Sequence, residues 1–413
     1  MVGLLIATSA AQAAPWTQEI YVWQRQAGPE VASALQEAKP FADGFNVLAA
    51  EVAWSGGRPV VSRFAPDYAS LARLGKPVGL SLRIGPFPGP FAADDATAKS
   101  LAALAASLLA EARAASLTPS ELQIDFDCAE AKLAGYRVWL GVLRPAVGKT
   151  PLIFTALPVW LGHAAEFAAL AHAADGFILQ VHSLDRPASP DAPFTLCDPA
   201  RALAWAAEAG RVGVPFRVAL PTYGYRVAFD AGGKFFALAA EGPAPDWPAG
   251  TQVRVARADA PALARLEQAL AAAPPPHCAG VIWFRLPVAG DRLNWDGTTL
   301  AAVLRGETPA PKITVAVEWP EPGLAEVVAV NAGTTSELPP ARVAVRWPAP
   351  EKLLAADGLG GFQLEIRDGE AQMEAVAATV PPDAFLAPGQ KRKIAWLRFP
   401  HELSLEAKLP AAP

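Results

Sequence analysis

The stretch "LQIDFDCAE", residues 122–130, sets two acids, Asp125 and Asp127, one residue apart. On a β-strand that spacing puts both carboxylates on one face and Ile124 and Phe126 on the other. Two such charges do not both form cheaply, so one member of the pair keeps its proton toward neutral pH. Hydrolysis of a glycosidic bond commonly needs a carboxyl group in that state. The competing reading is structural: Arg83 and Arg285 would tie up both acids as a buried ion network. The pair alone leaves both readings open.

The elements that must position the pair can be read from hydrophobic patterning. From about residue 19 to 308, eight apolar runs, "EIYVWQR", "GFNVLAAEV", "PVGLSLRIG", "ELQIDFD", "TPLIFTAL", "DGFILQVHS", "PFRVALPTYG" and "CAGVIWFRLP", alternate with Ala/Leu-rich stretches of helical period. Leu101, Leu104 and Leu108 mark one such helix, and Leu133, Tyr136, Leu140 and Leu143 the next. Eight β-then-α units predict a (β/α)₈ TIM barrel. An open doubly wound sheet competes, but the Gly-rich turn "GxGxxG" that usually marks it is absent. The segment at about 227–256 is too long for a plain βα loop and reads as an insertion at the barrel mouth. After "GETPAPKI", five runs alternate with period two between Pro and Gly turns, which predicts a C-terminal all-β sandwich. The expected limits are a barrel over 14–308 and a sandwich over 309–413. Such an appendage packs against its neighbour more often than it binds glycan.

In a barrel of this kind, function gathers at the carboxyl ends of the strands. Period two assigns Tyr21, Trp23 and Arg25 to one face of the first strand, and the second ends in Glu51. The third offers Ser81 and Arg83, the fourth Gln123 beside the two acids, and the sixth Gln180 and His182. The seventh runs into Tyr223 and Tyr225, and the eighth offers Trp283 and Arg285. A barrel packed only for stability would be filled by Val, Ile and Leu. Carboxylates, Arg and Gln suit sugar hydroxyls, and Trp and Tyr faces suit the C–H surface of the ring. His182 is a base, a sugar ligand or a buried hydrogen-bonded histidine. Arg83 and Arg285 either orient the acids or bind a substrate carboxylate. Asp291 and Trp295 are candidates for the cleft rim, while Glu130 and Lys132 read as solvated loop charges.

"LQIDFDCAEAKLAGYRVWLGVLRP" and "ALPTYG" together resemble an uncharacterised bacterial family, domain of unknown function 3142. More distantly, the chain is similar to the chitinase-like barrels of glycoside hydrolase family eighteen. Those enzymes carry D-G-x-D-x-D-W-E-Y at the end of strand four, with the Glu as acid. The resemblance sets Gln123 on the second Asp, Asp125 on the third, Phe126 on the aromatic and Asp127 on the catalytic Glu. It sets "PTYG" on a seventh-strand motif and Trp283 on the Trp that floors the sugar site. Trp23, Arg83, Gln123, Gln180, His182, Tyr223, Tyr225, Trp283 and Arg285 are the candidate substrate-binding residues. Departures are evident, because Asp127 is one methylene shorter than Glu. The sixth-strand M-x-Y-D is also replaced by Gln180, His182 and Ser183, which sets aside a substrate-assisted mechanism and makes Glu51 the first candidate for a second carboxylate.

Composition bounds the rest. With 35 Lys+Arg against 40 Asp+Glu, the formal charge of −5 offers no basic excess for nucleic acid. Cys128, Cys197 and Cys278 have no metal spacing, no H-E-x-x-H helix is present, and no cofactor motif is found. There is no G-x-S-x-G elbow and no phosphate loop. "MVGLLIATSAAQAAPW" carries an apolar run and the triplet Ala11-Gln12-Ala13, so residues 1–13 read as a secretory signal and the protein as periplasmic or secreted. Nothing later reaches the ~20 apolar residues of a membrane span. The expected function is that of a glycoside hydrolase-like barrel with Asp127 as general acid, Asp125 tuning it and Glu51 as second carboxylate. A catalytically inert barrel that binds glycan or envelope polymer is the alternative, and the pattern leaves the sugar and the oligomeric state open.

Overall fold

The computed structural model describes residues 15–182, 186–367, 369–376 and 383–409. The expected signal segment and Ser183 lie outside these residues. Eight strands, β1 (Thr17–Val22), β2 (Gly44–Ser55), β3 (Val78–Ile84), β4 (Leu122–Phe126), β5 (Leu152–Ala156), β6 (Gly176–Gln180), β7 (Phe216–Pro221) and β8 (Cys278–Phe284), run parallel. Pairing of β1 with both β8 and β2 closes them into a barrel. A helix follows each strand, so the eight β-then-α units read from the pattern are all present.

The helices form because their apolar residues fall on one stripe, and five of them start at an aspartate that caps the first turn. Ala96–Ala114, after β3, buries Leu101, Leu104, Ala105, Leu108 and Ala112, and the Asp95 carboxylate accepts the Ala98 N–H at 2.6 Å. Leu133–Val147, after β4, buries Tyr136, Trp139, Leu140 and Leu143. Its Tyr136 hydroxyl donates to the Ile124 carbonyl, which ties the helix to the strand bearing the acids.

Two elaborations build the mouth of the barrel. β2 continues past its barrel section and pairs antiparallel with an exposed strand, Arg58–Arg63. After β7, Gly224–Phe229, Phe235–Ala239 and Gln252–Arg257 form a three-stranded antiparallel sheet. The C-terminal part is a sandwich of two four-stranded antiparallel sheets around Val327, Val343, Phe362, Met373, Ile394 and Phe399.

Inside the barrel, side chains are layered. At the amino ends of the strands Arg217 pairs with Glu19 and, at 2.7 Å, with Glu121. Asn46 and Gln123 also donate to Glu121, and Ser81 donates to Asn46. Tyr21, Ile153, Ile178, Ala219 and Ile282 form the next layer. Barrel closure leaves no room at the β1–β8 seam, where a Cβ on Gly280 would lie 2.1 Å from the Thr17 carbonyl oxygen. Gly280→Ala is therefore expected to cost about 3 kcal/mol, read as a lowered denaturation midpoint with an unchanged m-value.

Candidate active site

β4 delivers the acids as the alternation requires. Gln123, Asp125 and Asp127 share the inward face, but at three depths. Gln123 is fully buried and engaged below, accepting from the Tyr21 hydroxyl and donating to Glu121, both at 2.5 Å. Asp125 is buried at the floor of a cavity of about 180 Å³. Asp127 stands just beyond the strand, exposed at the same cavity, and makes no hydrogen bond or ion pair with a described residue.

Asp125 is held at both oxygens. Arg83 Nη1 donates to Oδ2 at 3.0 Å, and the Thr155 hydroxyl donates to Oδ1 at 2.9 Å. Burial dominates its electrostatics and pushes the carboxyl up to about 6, with the Asp127 charge adding to the rise and Arg83 and Thr155 opposing it. Asp125 therefore holds its proton below about pH 6, and Asp127 is the acid open to a ligand. Thr155 sits within the apolar run of strand five, where period two from Ile153 was the available signal.

Glu51 comes into range through a backbone irregularity. The pairing of β2 with β3 shifts between Leu48 and Ala50, so that Glu51 sits opposite Arg83 and Leu48 opposite Ser81. Glu51 then contacts Arg25 at 2.7 Å and Arg83 at 3.8 Å. Arg83 is thus shared between the carboxylates of two neighbouring strands. Arg285 does not join them. It lies on a broader groove and donates to Asp291 at 2.9 Å, which corrects the expectation of a common network with Asp125 and Asp127.

The aromatic wall departs from expectation at β8. Trp283 is fully buried on the outer face of the strand, donating to Gln18 and packing against Trp295. Both residues belong to the layer between barrel and helices, so Trp283 does not floor the site and Trp295 does not rim the cleft. Phe284 takes the inward place, with its ring centroid 5.2–5.8 Å from those of Tyr21, Trp23, His182 and Tyr223. Tyr225 packs on Tyr223 at 5.2 Å. β8 is apolar on both faces, as parallel barrel strands are, so composition did not reveal its phase.

Gln180 and His182 line the cavity, as expected of the sixth strand. Burial lowers the His182 ring to about 3, so it is neutral at ordinary pH, and its Nδ1 lies 3.0 Å from the Tyr223 hydroxyl. It is therefore a neutral hydrogen-bonding wall residue. The Gln180 side chain has no hydrogen-bond partner among the described residues, which leaves its amide for a ligand. Trp23, Tyr223, Tyr225 and Phe284 also line the groove of about 1000 Å³ that holds Arg285 and Asp291. Among the described residues no cluster of His, Cys, Asp and Glu could hold a metal ion, and the three cysteines are free. No helix among them is long and apolar enough to cross a membrane.

Fold and site define a (β/α)₈ barrel with a carboxylate-and-aromatic pocket at the carboxyl ends of its strands, carrying a C-terminal β-sandwich. The chain belongs to the family described as Domain of unknown function (DUF3142), whose model matches residues 75–289, over half its length. No curated protein matches it in sequence. Similar solved structures include the spore cortex-lytic enzyme SleL of Bacillus cereus, at 13% identity and TM-score 0.47, covering 71% of this chain and 75% of that one. A chitinase from Chromobacterium violaceum is 17% identical with TM-score 0.46, covering 71% and 98%. The chitinase ChiB of Flavobacterium johnsoniae is 12% identical with TM-score 0.44, covering 71% and 94%.

The state of Asp125 gives a stability test. Its carboxyl is raised in the folded protein, so its contribution to stability is fully present below pH ~4 and lost as pH rises through about 6. Asp125→Asn fixes a neutral group of the same size. It is expected to match the parent near pH 4 and to exceed it by about 2–3 kcal/mol at pH 8, by chemical denaturation at each pH. A parent more stable than the variant at pH 8 would mean that the Arg83 pair outweighs burial.

Proposed function

We propose that the protein is a glycoside hydrolase-like barrel acting on an oligosaccharide or polysaccharide, with the reaction at the Asp125–Asp127 pair. The observation that carries this reading is one buried carboxyl, raised to about 6, beneath one exposed acid that has no partner among the described residues, in a single aromatic-lined cavity. Trp23, Tyr223, Tyr225 and Phe284 would cover the apolar faces of sugar rings, and Gln180 and His182 would meet hydroxyls.

In the proposed reaction the proton held by Asp125 passes to Asp127, which gives it to the glycosidic oxygen as the C–O bond to the anomeric carbon breaks. A water oxygen bonds to that carbon, and a carboxylate accepts the water's proton. Glu51, between Arg25 and Arg83, is the candidate for that base. Asp125, which holds a proton up to about pH 6, stores it within the pair. Asp125 is already engaged at both oxygens by Arg83 and Thr155, which argues against its orienting a substrate acetamido group. The apolar leader supports export, with the substrate outside the cytoplasm.

One observation favours a second reading, a barrel that binds glycan without cleaving it. Asp127 has no hydrogen-bonded neighbour among the described residues to orient it, and it is shorter than the Glu it would replace. Asp127→Asn separates the two. The hydrolase reading expects turnover of a bound oligosaccharide to fall by about 10²-fold or more while affinity changes little, by product chromatography and calorimetry. Binding by the parent without product release gives the second reading. The pH profile is a further check. The proton on the pair is lost as pH rises through about 6, so turnover should be highest on the acid side and decline above that value.

A further inference from the structure

Two arginines, Arg226 buried and Arg257 half-buried, stand on the inserted strands beside the groove. Arg226, on Gly224–Phe229, donates through Nη2 and Nε to Asp383 Oδ2 at 2.6 and 3.2 Å, and through Nη1 to the Gly242 carbonyl at 3.2 Å. Arg257, on Gln252–Arg257, donates to the carbonyls of Leu293, at 3.2 Å, and of Asn294. Its guanidinium lies 4.5 Å from the centre of the Phe385 ring. Asp383 and Phe385 belong to the sandwich, in the connection between Glu370–Ala375 and Lys391–Arg398.

The backbone held by Arg226 is groove wall, and that held by Arg257 follows closely on Asp291, which lines the groove. Ala240, Glu241 and Gly242 line the groove, and the Glu241 carboxylate accepts the N–H groups of Arg292, Leu293 and Asn294 at 2.9, 2.7 and 3.2 Å. The Asn294 amide donates to Asp291, which holds Arg285 at the groove. The contacts run without a break from the sandwich to a residue that faces the ligand space.

We infer that Asp383 and Phe385 of the sandwich form a positioning device, fixing the wall segment 240–242 and the adjoining segment 291–294 in the geometry that receives a glycan chain. A buried guanidinium needs acceptors for its fixed fork of donors, and losing the carboxylate leaves an unpaired buried charge that is drawn toward water. Arg226 would then release Gly242, and Glu241 with it. The part concerning glycan rests on the reading of the pocket as a sugar site, while the fastening of the wall does not.

Hydrogen exchange by mass spectrometry on the full chain tests the fastening, and calorimetry with chitohexaose and cellohexaose tests its use. In Asp383→Asn, peptides spanning 240–242 and 285–294 are expected to exchange about tenfold faster while those of β3–β5 are unchanged. Affinity for whichever hexasaccharide the parent binds should fall about tenfold, and Asp383→Glu should recover part of both. If Asp383→Asn does not fold, Phe385→Ala, which uncovers Arg257 alone, takes its place with the expected change confined to 285–294. Unchanged exchange in the wall segments overturns the inference, as does faster exchange with unchanged affinity. If the parent binds neither hexasaccharide, the glycan reading fails for these chains, and the exchange comparison still decides whether the sandwich fastens the wall.

Discussion

A carboxyl group buried at the top of a barrel has to be neutralised, protonated or both, and the upper half of this molecule is arranged around that requirement at Asp125. Arg83 supplies the charge and Thr155 the neutral donor, one from each neighbouring strand. Burial still prevails, raising the group to about 6. Arg83 also meets Glu51, so three adjacent strands, β2, β3 and β4, present Glu51, Arg83 and Asp125 side by side, with acid on either side of one arginine. That row depends on strand phase. Without the register shift between Leu48 and Ala50, period two would turn Glu51 away from the face that holds Arg83.

A second charged cluster lies at the opposite end of the barrel, where Arg217 sits between Glu19 and Glu121. Burial raises the Glu19 carboxyl, with the Arg217 charge opposing it. Tyr21 and Gln123 hand hydrogen bonds down to Glu121, while Ile153, Ile178, Ala219 and Ile282 occupy the rest of the intervening layer. Polar residues inside a barrel thus serve two ends by different rules. The lower cluster is closed by its own partners, whereas at the upper end Asp127 and Gln180 remain without one among the described residues.

The strands and their order were legible because parallel barrel strands are short apolar runs separated by helix-period segments, and all eight runs form strands. The inward residues of strands one, three, four and six were legible from alternation, which holds wherever polar and apolar positions differ. It failed for Trp283 and Phe284, because on β8 both faces are apolar and the outer one packs on helices rather than meeting water. The exposed strand Arg58–Arg63 and the sandwich strands Ala355–Gly358, Glu370–Ala375 and Glu406–Lys408 were not legible, being short or charged. Ion-pair choice was the least accessible feature. Arg285 meets Asp291, six residues on, through a turn that also caps Val288, and local chain geometry overrode any attraction to the acids on β4.

The division between the two acids limits what the pair can do. Asp125 holds a proton to about pH 6 but is locked on two sides beneath the cavity, out of position to reach a leaving group by itself. Asp127 faces the open cavity two residues on, just past the strand's end, a step of roughly 6.5 Å for extended backbone. In the proposed reaction, a proton stored on Asp125 would reach a substrate by way of Asp127 or an intervening water. A bound sugar that excludes bulk water would strengthen the coupling between the acids, because charge is harder to sustain on both in a drier site. Chemistry at this site would then depend on how far the ligand closes over Asp127, and the aromatic surfaces of Trp23 and Tyr225 at the junction of cavity and groove are placed to set that closure.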